Sequence, residues 1–175
     1  MAGDVTFLGR EFLTWLWYAS EQGDGRVTLR DDRKVVVALT QRMVLQSETG
    51  EVEGHTVKSS APGLAEEART ALRVGKTVTA ARLLLGVGDR AFEVGFDAAS
   101  FALSGAKLPA VMSTKEDARI DDRLELLAEL EGLLDGLFIT FLSVRRDDDA
   151  WLAEHGKIAE WMARGRDGEN EEAPF

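Results

Sequence analysis

Two histidines, His55 and His155, are the only imidazoles in the chain, and they lie a hundred residues apart. Neither has a neighbour at zinc-ligand spacing and neither sits in a nucleophile motif, so both are expected to be ordinary surface or hydrogen-bonded histidines. The sequence holds no cysteine. That removes thiolate nucleophiles, thiolate metal sites and disulfides, and it fits a reducing compartment. Gly75-Lys76-Thr77 has the ending of a phosphate-binding loop. Thr70 stands where such a loop needs its first glycine, and the segment runs from helix into strand rather than the reverse. Asp147-Asp148-Asp149 could attract a divalent cation, but hard cations need oxygen ligands converging from several places. The triplet is already explained as a helix N-terminus, where carboxylates favour the macrodipole. No carboxylates gather at metal-binding spacing on strand ends, which speaks against a nuclease. These residues predict a protein that is not an enzyme, with no cofactor and no metal.

Binding chemistry remains. The net charge of −10 argues at first against a nucleic-acid partner. Its distribution is uneven: residues 1–114 hold 13 Lys/Arg and 14 Asp/Glu, whereas residues 115–175 hold 8 and 17. The first part is thus nearly neutral at −1 and the second carries −9, so a local basic face is compatible with the total. Arg26, Arg30, Arg33, Lys34 and Arg42 fall in the part that reads as sheet-forming. Lys58, Arg69, Arg73, Lys76 and Arg82 are the candidates for tracking a phosphate backbone, without base specificity.

The elements that must position these residues read as α+β, antiparallel sheets flanked by an N-terminal aromatic helix and a long C-terminal helical pair. Residues 7–21 place Leu8, Phe12, Trp15, Leu16 and Ala19 on one helical face. Leu13 and Trp17 form a second stripe nearly opposite. Either the helix is covered on both sides, or Leu13 and Trp17 meet a partner chain. Gly23-Asp24-Gly25 ends the helix. Strands are predicted at 26–30 and 34–40 around a tight Asp31-Asp32-Arg33 turn, with weaker ones at 41–47 and 52–59. Pro62-Gly63 introduces a short helix over 64–74 that stops at Gly75. Strands follow at 76–85, at 91–97 with clean alternation of Phe92, Val94 and Phe96, and at 101–104.

From Thr114, which with Asp117 resembles a capping box, the pattern becomes helical. Ile120, Leu124, Leu127, Leu130, Leu134, Leu137, Phe138 and Phe141 keep one apolar face over about seven turns, roughly 40 Å. Gly132 and Gly136 notch the helix, predict a close approach by another element, and are candidate interface positions. A last helix over 150–163, capped by Asp147–Asp149, is anchored by Trp151 and Trp161. Residues 1–164 are expected to form a single domain with a helical part at 114–164. Residues 165–175 are acidic and expected to be disordered. Met1-Ala2-Gly3-Asp4 is acidic where a signal peptide is basic, and no stretch reaches the roughly 18–20 apolar residues of a membrane span. A cytoplasmic location is expected.

The run 73–83, Arg-Val-Gly-Lys-Thr-Val-Thr-Ala-Ala-Arg-Leu, resembles the helix–Gly-Lys-x-Val-Thr–strand passage of the recombination-associated RdgC family. So do the hairpin after it, the Leu103–Pro109 run Leu-Ser-Gly-Ala-Lys-Leu-Pro, and the long leucine-rich acidic helix. Leu8-Gly9-Arg10-Glu11-Phe12-Leu13-Thr14-Trp15-Leu16-Trp17 is similar to a segment of divergent members. The resemblance covers roughly residues 7–145 and corresponds to the C-terminal part of longer members. It implies a non-catalytic, homo-oligomeric protein that encloses duplex DNA without sequence preference and acts in recombination, hence nucleoid-associated. The chain departs from the family at Val57-Lys58-Ser59-Ser60-Ala61, where one lysine stands in place of a basic patch. The alternative is an assembly or adaptor subunit whose Leu13/Trp17 stripe and glycine notch meet protein partners.

Overall fold

The period-two alternation in the strands is strong enough to fix which side of the sheet is buried. In the computed structural model, which describes residues 6–47, 55–59 and 66–164, the order is α1 Thr6–Gln22, β1 Arg26–Thr28, β2 Lys34–Ser47, β3 His55–Ser59, α2 Glu66–Arg73, β4 Lys76–Val87, β5 Arg90–Asp97, β6 Ala102–Lys107, α3 Glu116–Arg145 and α4 Asp148–Ala163. All strand pairs are antiparallel, in the order β1-β2-β4-β5-β6. β3 pairs with the later half of β2, on the same side as β1. Val35, Val37, Leu39, Met43 and Leu45 of β2 are buried on one face with Val78, Leu83 and Leu85 of β4 and Phe92, Val94 and Phe96 of β5. The fold is α+β, with the aromatic helix first and the helical pair last.

α1 lies on that face and is itself covered from behind, which makes three layers. Phe12 meets the sheet through Phe96 and the outer layer through Phe138 and Phe141, with ring centroids 5.2–5.7 Å apart. Trp17 and Tyr18 both pack edge-on against Trp161 of α4, at 5.1 and 5.7 Å. At the other end Arg145 links Glu11, Phe7 and Trp151. Since Trp151 sits by the start of α1 and Trp161 by its end, α4 runs parallel to α1. Burial of an aromatic on each side of one helix yields several kcal/mol, because each such side chain contributes about 1.5–3 kcal/mol. Leu13 and Trp17 are therefore core residues, 0% and 2% exposed, and the expectation that they form an interface is corrected. The second stripe exists because a second layer covers it.

Other expectations shift for local reasons. The strands expected at 34–40 and 41–47 are one strand, bent by a bulge where Gln41 takes φ 56° and the register slips between Thr40 and Met43. Thr114 does not cap α3. Lys115 is the N-cap and makes no side-chain cap bond, and Glu116 and Asp117 in the first turn meet the helix dipole instead. Asp147 does cap α4, accepting from the Ala150 N–H at 3.0 Å. β6 runs over Ala102–Lys107 rather than 101–104.

The long helix is buried only in its second half, at Leu130, Leu133, Leu134, Leu137 and Phe141. Ile120, Leu124 and Leu127 stay exposed. Gly136 has the expected close neighbour: a Cβ there would lie 2.9 Å from Leu29 Cδ1. The neighbour is intramolecular, which removes Gly136 from the interface candidates, and Gly132 faces open space. The expected acidic tail, 165–175, lies outside the described residues, as do the first residues of the strand expected at 52–59 and of the helix expected at 64–74. No helix among the described residues is long and apolar enough to cross a membrane.

Candidate nucleic-acid interface on the open face of the sheet

Among the described residues every helix packs on one side of the sheet, and the opposite side is lined by the alternate residues of each strand. Directly paired residues of antiparallel strands share a face, and the register therefore identifies that lining. Arg26 pairs with Val36, Thr28 with Lys34, Arg42 with Lys58, Arg82 with Thr40 and Gly95, and Glu93 with Leu84 and Lys107. Six cations thus stand on the open face: Arg26, Lys34, Arg42, Lys58, Arg82 and Lys107. The only carboxylates in the described strands are Glu93 and Asp97, both on this face. Within the described strands the face carries +4, in a chain of −10. From Lys58 on β3 to Lys107 on β6 there are four inter-strand gaps, about 19 Å at ~4.8 Å each.

Between the cations the floor is made of small side chains. Arg42, Arg82, Val44, Ala80, Gly95 and Ser104 line a shallow groove of about 300 Å³ with Asp97 at its end. Gly95 is required there, because a Cβ would come within 2.6 Å of Ser104 Oγ. Arg82 is held by Glu93 at 3.3 Å and donates to the Gly105 carbonyl at 2.9 Å. Lys107 reaches the same Glu93 at 2.9 Å, and Gln41 donates to it at 3.4 Å. Glu93 is held below its ordinary value of 4.5, chiefly by the Lys107 hydrogen bond, with desolvation opposing and Arg82 adding to the effect. Asp97 is also lowered, mainly by the Ser100 hydroxyl and then by backbone N–H groups of Ser100 and Ala99, so its charge is spent on the β5–β6 turn. Arg26, Lys34, Arg42 and Lys58 have no carboxylate partner among the described residues. Such a surface, small-floored and fringed by cations on several strands, suits a repeating anion better than a compact one.

The five positions expected to track phosphate divide between the two sides of the molecule. Lys58 and Arg82 lie on the open face. Arg69, Arg73 and Lys76 lie on the helix side, and their grouping with the other two is corrected. Arg69 donates to both oxygens of Glu21, at 2.9 and 2.7 Å, and stands 5.8 Å from the Trp161 ring centroid. Glu21 also accepts from the indole N–H groups of Trp17 and Trp161, each at 2.8 Å. This hub ties α2 to α1 and α4, so Arg69 is structural. Arg73 reaches the Met162 carbonyl of α4 at 3.4 Å, and Lys76 lines a cavity beside α1 and α4.

Arg42, Lys107, Arg26 and Lys34 were not singled out by spacing alone. A signal for two of them is present in β2, where the even positions Lys34 and Arg42 alternate against buried Val35, Val37, Leu39, Met43 and Leu45. Which face the helices would leave uncovered is not encoded in that alternation. Among the described residues no three His, Asp or Glu side chains group as a metal site. No protein-family model, no curated protein and no solved structure matches the chain.

Proposed function

We propose that this chain is a non-catalytic, RdgC-like protein that binds the backbone of duplex DNA, without sequence preference, on the open face of its sheet. The observation that carries the proposal is the concentration of six cations against two carboxylates on one face of an acidic chain. The resemblance of the 73–83 and 103–109 runs to that family points to the same partner, and a cytoplasmic, nucleoid-associated location follows from it. Small residues between the cations leave room for phosphates to approach the sheet, and contacts to the backbone carry no sequence information. The acidic helices on the far side orient the molecule by repelling the same polyanion.

Fluorescence anisotropy of labelled duplexes of unrelated sequence provides the test. Binding in the range of about 10⁻⁶–10⁻⁴ M is expected near physiological salt, tightening steeply as salt falls, and equal for all sequences. Arg42→Glu should weaken it at least tenfold while the circular dichroism spectrum stays unchanged. No complex at low salt and micromolar protein would sink the proposal for this chain.

A second reading, an assembly or adaptor subunit, is favoured by the first half of α3. Ile120, Leu124 and Leu127 follow helical spacing and are 52%, 59% and 39% exposed. If that stripe joins two copies, light scattering will give a multiple of 19.2 kDa, and Leu124→Glu will return the mass to one chain. A single-chain mass for the unaltered protein removes homo-oligomerisation through this stripe.

A further inference from the structure

The stripe on α3 does not stop where the core begins. Ile120, Leu124, Leu127, Glu131, Leu134 and Phe138 follow one another at steps of four and three, the spacing of a coiled-coil seam, over about 27 Å. Its far end joins the aromatic core. Four rings there close a cycle of edge-on contacts: Phe12 with Phe96 at 5.7 Å, Phe96 with Phe101 at 5.7 Å, Phe101 with Phe138 at 5.5 Å and Phe138 with Phe12 at 5.2 Å. An open cavity of about 410 Å³ lies against this cycle, bounded also by Leu103 and Leu134, with Glu131 and Asp135 in its lining. Leu103 is 44% exposed, and one turn before Glu131 the stripe continues as exposed Leu127, Leu124 and Ile120. Contiguous apolar surface of this extent marks an interaction site.

Spacing and charge together specify the occupant. A seam at steps of four and three is complementary to another helix, whose side chains enter the holes between its members. Glu131 is the polar member of the seam, and Asp135 stands one turn further on. Neither has an ion-pair partner among the described residues, whereas Glu129, round the helix from them, is held by Arg90 at 2.7 Å. An occupant that covers these two carboxylates must supply cations, or it leaves buried charge uncompensated. Residues 116–136 hold eight Asp or Glu and two Arg, a net of −6. A second copy of α3 laid on the stripe brings that same charge, and in parallel sets Glu131 against its own counterpart. The basic sheet face of a second copy has a floor of Ala, Gly and Ser, which fills no apolar cavity. Residues 165–175, with four carboxylates and one Arg, are mismatched in the same way.

We infer that this stripe and its cavity bind a basic amphipathic helix of another protein. One large apolar side chain enters the cavity against Phe101 and Phe138, and Lys or Arg residues beside it meet Glu131 and Asp135. The inference rests on the adaptor form of the second reading above. It is independent of DNA binding, because α3 lies across the sheet from Arg42 and Lys58.

Fluorescence anisotropy with a labelled synthetic peptide of ~18 residues, the length of the stripe, is the experiment. In the probe, Leu and one Phe recur at seam spacing among Lys and Ala. One control has the same composition in scrambled order, and another has Glu for every Lys. At about 0.15 M salt, where distant exposed charges are screened, the basic probe should bind one per chain and saturate. The scrambled peptide should bind at least tenfold more weakly, and the acidic one not at all. Glu131→Lys/Asp135→Lys should weaken the basic probe at least tenfold and admit the acidic one. Leu127→Ser, at an exposed position, provides a second variant should the double one fail to fold, with a loss of several-fold. Arg42→Glu should leave probe binding as it was. Light scattering separates the two forms of the second reading. A single-chain mass with probe binding upholds the basic partner and removes the second copy. A multiple of 19.2 kDa that Leu124→Glu reverts, without probe binding, upholds the second copy and overturns the inference. The scrambled peptide binding as tightly as the probe, both variants binding like the unaltered protein, or no probe binding at all would each overturn it as well.

Discussion

Glu21 shows how much a single side chain can organise here. It is an ordinary carboxylate in the sequence, yet it accepts from Arg69 and from two indoles on different helices. Glu21→Ala would orphan three donors at once. The expected cost is about 2–3 kcal/mol, allowing for its partial exposure, a fall in thermal midpoint of about 7 °C. A midpoint within a degree of the parent would show that the hub contributes little. Glu93 plays the opposite part on the other face, where it holds Arg82 and Lys107 away from any anion. Glu93→Gln should strengthen duplex binding several-fold at low salt, and unchanged binding would remove Arg82 and Lys107 from the interface. Its lowered pKa also has a consequence for stability. A carboxylate whose folded value lies below its unfolded value stabilises the fold fully above the unfolded value, here about 4.5, and that contribution is lost as pH falls through the folded value. The difference in thermal midpoint between the parent and Glu93→Gln should therefore be constant from about pH 6 to 8 and shrink progressively as pH falls below 4.5.

Among the elements, α1 decides the architecture because it is the middle of three layers. It approaches the turn after β5 so closely that a Cβ on Gly9 would lie 2.1 Å from the Ala98 carbonyl oxygen. Backbone cannot yield there as a flexible side chain could. Gly9→Ala should destabilise the fold by about 3 kcal/mol, at the upper end of ordinary overpacking, read by urea unfolding; a loss under about 0.5 kcal/mol would mean that α1 can slide. Several elements were legible in the sequence for plain reasons. β5 alternates Phe92, Val94 and Phe96 against smaller or polar residues, and Asp147 is a cap residue followed by acidic positions. The start of α3 was misread because Thr114 and Asp117 have the right spacing for a cap, but the chain turns one residue later, at Lys115. Its apolar stripe also reads as continuous, although only the half that reaches α1 and α4 is buried.

For the whole molecule the decisive property is the separation of charge. The chain is acidic overall, but its acidity sits mainly in α3, α4 and the residues that follow, while the open sheet face is positive. A polyanion therefore meets an oriented molecule rather than an acidic one. With about five or six phosphates neutralised, the slope of log K against log salt should be about −5, from roughly −0.9 per contact. The double variant Arg42→Gln/Lys58→Gln should make it shallower by about 2 units. Titrations between about 50 and 200 mM salt measure this directly, and a slope that the double variant leaves alone would place the anion elsewhere.

By itself the sequence determined the α+β class, the order of most elements, the aromatic helix with two apolar stripes, and the uneven charge. These follow from local periodicity and composition, which short stretches of chain carry on their own. Only the tertiary structure decided that Leu13 and Trp17 lie inside, that Arg69 belongs to a structural hub, and that Lys58 and Arg82 stand with Arg42 and Lys107 on one uncovered face. Those facts depend on which strands pair and on which side the helices come to rest. They are set by long-range packing between residues as far apart as Trp17 and Trp161, and no window of sequence contains both.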